Sequence, residues 1–156
     1  MDLFLLFGIG IYFCFVVIII AGLLFRIKTL HLNSNLPQIS VVIAARNEEK
    51  NISYLLDDLI NQSIDKDKFE VIISNDRSTD KTKKIIDRYA KEHTFIKTID
   101  IFRKHNMAPK KFALTKAIDQ SVGDIIIATD ADCRVPKGWV KNMATLVKET
   151  GKVVIG

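Results

Sequence analysis

The chain has 156 residues and a formal net charge of +5, and this length suits one domain of ordinary size. The basic surplus is mild, the charges are mixed in sign, and no Arg-rich block or nucleic-acid-binding motif occurs, so we expect no nucleic-acid partner. The two cysteines, Cys14 and Cys133, form no CxxC pair, which argues against a cysteine-ligated metal site.

The first segment, residues 1–28, is predicted to be a transmembrane anchor. Leu3–Phe25 contains no charged residue and, at ~1.5 Å per residue, is long enough to cross a ~30 Å hydrocarbon core. A signal peptide would carry Lys or Arg before its apolar run, and here the only charged residue before the run is Asp2. Arg26 and Lys28 follow the run, so the positive-inside rule places the rest of the chain in the cytoplasm, beneath the inner cell membrane.

Residues 29–38 are predicted to be a polar linker, and a domain is expected over residues 39–156. Its first strand, residues 39–44, is apolar and β-branched, and Asn47 after it is predicted to cap a helix. That helix carries apolar residues at helical spacing, which are Ile52, Leu55, Leu56, Leu59 and Ile60.

A second strand is predicted over Phe69–Ser74, followed by polar residues that include Asp76. Ser78 or Asp80 could cap the next helix, whose expected buried face is Ile85, Ile86 and Tyr89. A weaker third strand is expected over Phe95–Phe102.

Pro109 is predicted to open a third helix in this domain, because proline suits the first helical position. The expected packing face of this helix is Phe112, Ala113, Ala117 and Ile118, and Gly123 ends the segment. A fourth strand then begins at Ile125 and leads to two aspartates, Asp130 and Asp132. Pro136 is predicted to start a further helix, with Trp139, Val140, Met143 and Val147 facing inward, and Lys152–Gly156 to begin a fifth strand.

Strands that alternate with helices of ~10–15 residues predict an α/β fold with a Rossmann-like parallel sheet. Because the carboxyl ends of parallel strands meet at one edge, we expect Glu48, Asp76, Asp130 and Asp132 to converge there. Two carboxylates one residue apart repel each other unless a cation compensates them. Divalent cations such as Mg²⁺ are often held by one or two carboxylates plus substrate phosphates, so this edge is predicted to be a metal-and-diphosphate site.

Each candidate residue also has a structural interpretation. Glu48 could interact with a helix dipole, and Asp76 could be a turn or cap residue. Arg46 could bind phosphate or pair with Glu49. Lys110 lies at a helix start, where a positive charge is unfavourable unless an anion binds there, although a solvated lysine is the alternative.

Four motifs in order resemble the family 2 glycosyltransferases, which have the GT-A fold. They are Ser40 to Glu49 (SVVIAARNEE), Val71 to Asp80 (VIISNDRSTD), Lys110 to Ile118 (KKFALTKAI) and Gly123 to Asp132 (GDIIIATDAD). The last ends in the Asp130-Ala131-Asp132 pattern that the family uses as a DXD motif. The resemblance covers residues 37–156, and Asn75 stands where many members have a second aspartate.

The resemblance implies a nucleotide-diphospho-sugar donor, with a UDP-sugar favoured. By that analogy Glu48 and Asp76 contact the nucleoside, Lys110 lies near the nucleotide, and Asp130 lies by the ribose or the metal. Asp132 would ligate Mg²⁺ or Mn²⁺. The implied reaction inverts the anomeric centre, and the implied acceptor is lipid-linked, a polysaccharide or another cell-envelope component.

No catalytic base is assigned in this chain, because the resemblance places the family's base carboxylate after the position of Gly156. We therefore expect an incomplete GT-A-like domain, the donor-binding half of an enzyme, that is inactive in isolation. The alternative is a non-catalytic, membrane-tethered nucleotide-binding or assembly module. A haloacid-dehalogenase-type phosphatase is disfavoured, because its nucleophilic aspartate would end the first strand, which here runs into Ala44-Ala45-Arg46.

Overall fold

The computed structural model describes residues 3–28, 36–102 and 106–150, with side chains described for residues 7–22, 36–102 and 106–148. The chain divides into two units, residues 1–33 and 34–156. The predicted fifth strand and residues 29–35 of the predicted linker lie outside the described residues.

The described residues of the first unit form one helix, α1 (Leu3–Lys28), as the apolar run predicts. Its described side chains, in residues 7–22, are exposed except for Val16, which is half-buried. Within the residues that the structure describes, no helix is long and apolar enough to cross a membrane. The structure therefore confirms the helix but does not support the predicted transmembrane anchor.

Among the residues that the structure describes, the second unit has a four-stranded parallel sheet with the strand order β3-β2-β1-β4. The strands are β1 (Ile39–Ala45), β2 (Phe69–Asp76), β3 (Ile96–Ile101) and β4 (Ile125–Asp130), and the helices are α2 (Ile52–Ile60), α3 (Thr82–Glu92), α4 (Pro109–Asp119) and α5 (Trp139–Thr150). This confirms the predicted α/β, Rossmann-like architecture.

The two central strands, β1 and β2, are buried on both faces. Val41 and Ile43 belong to a large apolar cluster that also includes residues of α2, α3 and α5. Val42 and Ile72 point to the other face, where they pack with Ala117 of α4. Helices on both faces explain why these strands are continuous apolar runs rather than alternating ones.

The predicted cap at Asn47 is wrong, because α2 begins five residues later, at Ile52. Asn47 has a positive φ of 57°, and its side-chain oxygen accepts a hydrogen bond from the Thr79 N–H in the next loop. Asn51 occupies the cap position without a side-chain cap bond. The Asn47 side chain, which local capping rules assign to the start of the helix, therefore binds a distant loop instead.

The predicted caps of α3 are also corrected. The helix begins at Thr82, and its cap position is Lys81, which makes no side-chain cap bond. Ser78 accepts a hydrogen bond from the Asn47 N–H instead. Asp80 lies one residue before the cap position and accepts a hydrogen bond from the Thr82 N–H.

Two further differences concern α5 and exposed apolar residues. The helix α5 begins at Trp139, and Pro136 lies in a preceding turn in which its carbonyl accepts the Trp139 N–H at 2.9 Å. Ile118, in the last turn of α4, is exposed rather than packed, whereas Ala113 and Ala117 are buried as expected. Ile126 is also exposed, because β4 is an outer strand among the strands that the structure describes.

Candidate functional site

A pocket of about 320 Å³ lies at the carboxyl ends of β1, β2 and β4, beside the start of α4. Its lining contains every residue that the sequence singled out as a candidate, which are Arg46, Glu48, Asp76, Lys110, Asp130 and Asp132, together with Ala44, Ala45, Pro109, Ala113 and Ala131. The structure therefore brings all six candidates together, and their individual roles remain predictions.

The parallel register explains this convergence. Ala44 of β1 pairs with Ser74 of β2 and with Asp130 of β4, so the residues after these positions leave the sheet at one edge. Ala45, Ala113 and other small residues form part of the wall. Their short side chains leave room for a ligand between the charged groups.

The β1–α2 loop and the β2–α3 loop are joined by hydrogen bonds in both directions. The Asn47 oxygen accepts the Thr79 N–H at 2.8 Å, and the Glu48 N–H donates to the Thr82 hydroxyl at 2.7 Å. The Glu49 carboxylate accepts the Lys81 N–H at 2.9 Å. Sequence reasoning missed these contacts, although the polar runs after both strands were a signal for them.

Arg46 and Glu48 enter the pocket from the β1–α2 loop. Arg46 is half exposed, and its guanidinium lies 3.7 Å from the Asp76 carboxylate. The predicted alternative partner Glu49 is occupied by the neighbouring loop instead. Glu48 accepts a hydrogen bond from the Asn51 amide at 3.0 Å, which leaves its second carboxylate oxygen available to a ligand.

Asp76 is the last residue of β2, and only 5% of its side chain is exposed. Arg77 donates to both of its oxygens, from Nε at 2.7 Å and from the second terminal nitrogen at 3.0 Å. The hydrogen bond to Asp76 raises the pKa of the Arg77 guanidinium above its ordinary value. Sequence reasoning missed Arg77, because adjacency in a loop does not indicate a bidentate pair.

Lys110 and Asp130 form an ion pair across the pocket. The Lys110 ammonium lies 2.7 Å from one Asp130 oxygen and 2.9 Å from the other. This hydrogen bond raises the pKa of Lys110, and the negative charges of Asp130 and Asp132 add to the effect. Both partners are more than half exposed, so the pair is accessible to solvent and to ligands.

Asp130 and Asp132 fit a divalent cation as a partial ligand set. The Cys133 N–H donates to the Asp130 carbonyl in a turn after β4, and this turn places Asp132 beside the pocket. Among the described residues no group of three His, Cys, Asp or Glu side chains could hold a metal by itself. A cation here would need phosphate or water oxygens as further ligands, which is the usual manner of Mg²⁺.

Comparison with known proteins gives one family and a consistent set of relatives. Residues 40–156 match the family described as Glycosyl transferase family 2. A beta-monoglucosyldiacylglycerol synthase from Nostoc sp. is 33% identical over 117 residues, which are 74% of this chain and 24% of the relative.

Solved structures agree with the sequence match. The first 349 residues of Staphylococcus aureus TarS in complex with UDP align with a TM-score of 0.63 and 26% identity, over 76% of this chain and 38% of that one. The mannosyltransferase PcManGT from Pyrobaculum calidifontis, in complex with GDP-Man and Mn²⁺, aligns with a TM-score of 0.66 and 26% identity, over 73% and 33%.

The chain spans less than half the length of the curated relatives it matches. The parallel sheet of the second unit has the same fold as the structural neighbours, as the GT-A resemblance predicts. Because the family match extends over residues 40–156, this chain belongs to glycosyl transferase family 2.

Proposed function

We propose that the pocket binds a nucleotide-diphospho-sugar as the donor for metal-dependent, inverting glycosyl transfer, with a UDP-sugar favoured. The observation that carries the proposal is the convergence of three acidic strand ends, Arg46 and Lys110 on one pocket. Family membership supports a transferase that uses nucleotide-sugars, and neighbours in complex with UDP and GDP-Man support the ligand class.

The charges of the pocket suggest how the donor is oriented. Glu48 and Asp76 lie on the β1 and β2 side, where acceptor oxygens suit the hydroxyl and N–H groups of a nucleoside. Lys110, together with Arg46, supplies positive charge for the diphosphate. Asp130 and Asp132 would hold Mg²⁺ or Mn²⁺, which when bound would neutralise negative charge on the departing diphosphate.

Lys110 and Asp130 neutralise each other in the structure. A diphosphate that entered beside α4 would compete for the Lys110 ammonium, because phosphate oxygens are strong acceptors of charge-assisted hydrogen bonds. Asp130 would then lose Lys110 as its counterion, and a divalent metal ion bound with the diphosphate could replace it. This exchange predicts that nucleotide and metal bind cooperatively.

The acceptor and the membrane association are further parts of the proposal. The name of the relative from Nostoc denotes a glycolipid synthase, which supports a lipid among the possible acceptors. The uncharged run Leu3–Phe25 and the exposed apolar side chains of α1 support attachment to a membrane. We assign no catalytic base in this chain, and we expect residues 1–156 alone to bind donor without transferring sugar.

Calorimetry of the 156-residue chain in detergent micelles tests the proposal. We expect UDP to bind in the presence of Mn²⁺ and to bind at least about tenfold more weakly with a chelator, a change of about 1.4 kcal/mol. Asp132→Asn should remove this dependence on Mn²⁺. The matched control is Asp119→Asn, which changes an exposed aspartate of α4 outside the pocket lining and should bind like the wild type.

The same titration separates the possible outcomes. Equal UDP binding with Mn²⁺ and with chelator would contradict the metal assignment, and an absence of UDP binding would contradict the donor site. Sugar transfer by residues 1–156 alone would contradict the expectation that this chain contains no catalytic base. Binding without transfer, even in a longer protein that includes this chain, would favour the non-catalytic module.

A further inference from the structure

The Asp76 carboxylate is held almost entirely by arginine side chains. Arg77 donates to both oxygens, at 2.7 Å and 3.0 Å, and Arg46 lies at 3.7 Å. Its side chain is 95% buried, yet Asp76 lines the pocket, so the exposed remainder of the carboxylate faces the proposed ligand. The direction in which Asp76 presents its lone pairs therefore depends on this pair of hydrogen bonds from the Arg77 guanidinium, called the Arg77 fork below.

Arg77 has an unusual backbone for an arginine. Its φ is 52°, in the left-handed region that glycine adopts freely and that other residues rarely adopt. The Arg77 N–H donates to the Asn75 carbonyl at 3.1 Å, in a tight turn directly after β2. The turn directs the guanidinium back onto the preceding residue. Glycine would adopt this backbone conformation with less strain. We therefore look to the Arg77 side chain, which binds Asp76, for the reason that arginine occupies this position.

The fork also restricts what Asp76 can recognise. A guanidinium has five N–H donors and no acceptor, so the carboxylate that it binds must act as the acceptor. A carboxylate has about four lone-pair sites, and Arg77 occupies one on each oxygen. The remaining lone pairs suit a base edge that presents N–H groups, such as N3–H of uracil or N1–H of guanine. Cytosine and adenine present a bare ring nitrogen at the corresponding position, which would face these lone pairs without a hydrogen bond.

We infer that Arg77 is a positioning residue that fixes the Asp76 carboxylate as an acceptor for a ring N–H, and thereby selects uracil or guanine nucleotides over cytosine or adenine nucleotides. This inference rests on the proposed function, because it concerns the nucleoside end of the same pocket. Arg77 acts through Asp76, and it is not itself among the residues that line the pocket.

Arg77→Gly is the sharpest test, because glycine relieves the backbone strain while it removes the fork. We expect the melting temperature of the 156-residue chain to fall, because the buried Asp76 carboxylate loses its bidentate partner, so binding is compared at a temperature at which the variant remains folded. The dissociation constant for UDP should increase about tenfold, as expected for a lost charge-assisted hydrogen bond that positions a ligand group. Binding of CDP should change little, so the preference for UDP over CDP should fall.

Two further variants show whether Arg77 acts through Asp76. Arg77→Lys keeps the charge without the bidentate geometry, and we expect it to restore only part of the preference for UDP. In an Asp76→Asn background, Arg77→Gly should produce no additional loss of UDP affinity, because coupled residues are not additive. Additive losses in the two variants would contradict this coupling.

The outcomes distinguish this inference from the proposed function. If the wild type binds UDP and Arg77→Gly binds UDP with the same affinity and the same preference over CDP, the positioning role is wrong while the donor site stands. If the folded wild type binds none of UDP, GDP, CDP and ADP, the donor site itself is wrong, and the inference that rests on it also fails.

Discussion

Replacing Glu70 with alanine should destabilise the second unit without altering its pocket. Glu70 lies near the start of β2, and its side chain is only 6% exposed. Its oxygens accept hydrogen bonds from the Ser40 hydroxyl at 2.7 Å, the Val122 N–H at 2.8 Å and the Lys97 ammonium at 2.6 Å. One side chain therefore joins β1, β2, β3 and the connection that leads into β4, at the opposite end of the strands from the pocket.

The expected loss follows from the groups that Glu70→Ala leaves without an acceptor. Ser40 is fully buried, so leaving its hydroxyl without an acceptor costs about 1–3 kcal/mol. Val122 is exposed, so the loss of the acceptor of its N–H group costs about 1 kcal/mol. Lys97 is half exposed, so its ion pair adds at most about 1 kcal/mol. We expect a total of about 3 kcal/mol.

The pH dependence of this contribution has a definite sign. Burial by itself raises the pKa of Glu70. Hydrogen bonds from Lys97, the Val122 N–H and Ser40 together lower this pKa by a larger amount, so it lies below its ordinary value. A depressed pKa contributes stability that is present above the unfolded-state pKa of about 4.3 and is lost as the pH falls through the folded-state pKa. The wild type should therefore lose its advantage over Glu70→Gln in acid.

Thermal unfolding, followed through the single tryptophan Trp139, measures both effects. Glu70→Ala should lower the melting temperature by about 10 °C at pH 7. Glu70→Gln is the matched control, since it keeps an acceptor oxygen for Ser40 and Val122 and should lose only about 1 kcal/mol. A decrease of less than about 3 °C for the alanine variant would show that Glu70 does not hold these strands together. An advantage over Glu70→Gln that is equal at acid and neutral pH would refute the proposed role of the charge.

Two further substitutions test local packing in the sheet. A Cβ at Gly123 would lie 2.5 Å from the Ser40 backbone nitrogen, so Gly123→Ala should cost about 1–3 kcal/mol in thermal unfolding, and an unchanged melting temperature would contradict the close approach. The Asn75 amide donates to the Asp100 carboxylate at 2.8 Å, so Asn75→Asp should place two carboxylates together and cost about 2 kcal/mol, only partly offset by Lys83. This loss should diminish in acid, where carboxylates are protonated, and a loss independent of pH would contradict the charge explanation.

The strands and the start of α4 could be predicted because their signals are local. Apolar, β-branched runs identify β1 and β2, since strands covered on both faces have no polar side. Pro109 marks the first residue of α4, because its fixed φ and missing N–H suit that position. The starts of α2 and α5 could not be predicted in the same way. The Asn47 side chain accepts a hydrogen bond from a residue 32 positions away, and rules based on neighbouring residues cannot predict such a contact.

The candidate site could be predicted as a group, whereas its internal pairing could not. Parallel topology places the ends of β1, β2 and β4 at one edge, so Glu48, Asp76 and Asp130 had to meet there. Which cation pairs with which carboxylate depends on side-chain directions that the sequence does not contain. The structure pairs Arg77 with Asp76 and Lys110 with Asp130, and neither pair follows from spacing.

The two halves of the pocket differ in how firmly their residues are held. On the β1 and β2 side, Asp76 is buried, and the loop that carries Glu48 is bonded to the next loop through the Glu48 N–H. On the other side, Lys110 and Asp130 are more than half exposed and bond mainly to each other. Exposed pairs contribute little stability and exchange partners at little cost. We therefore expect recognition of the base to depend on a rigid wall, and binding of diphosphate and metal to depend on side chains that change partners.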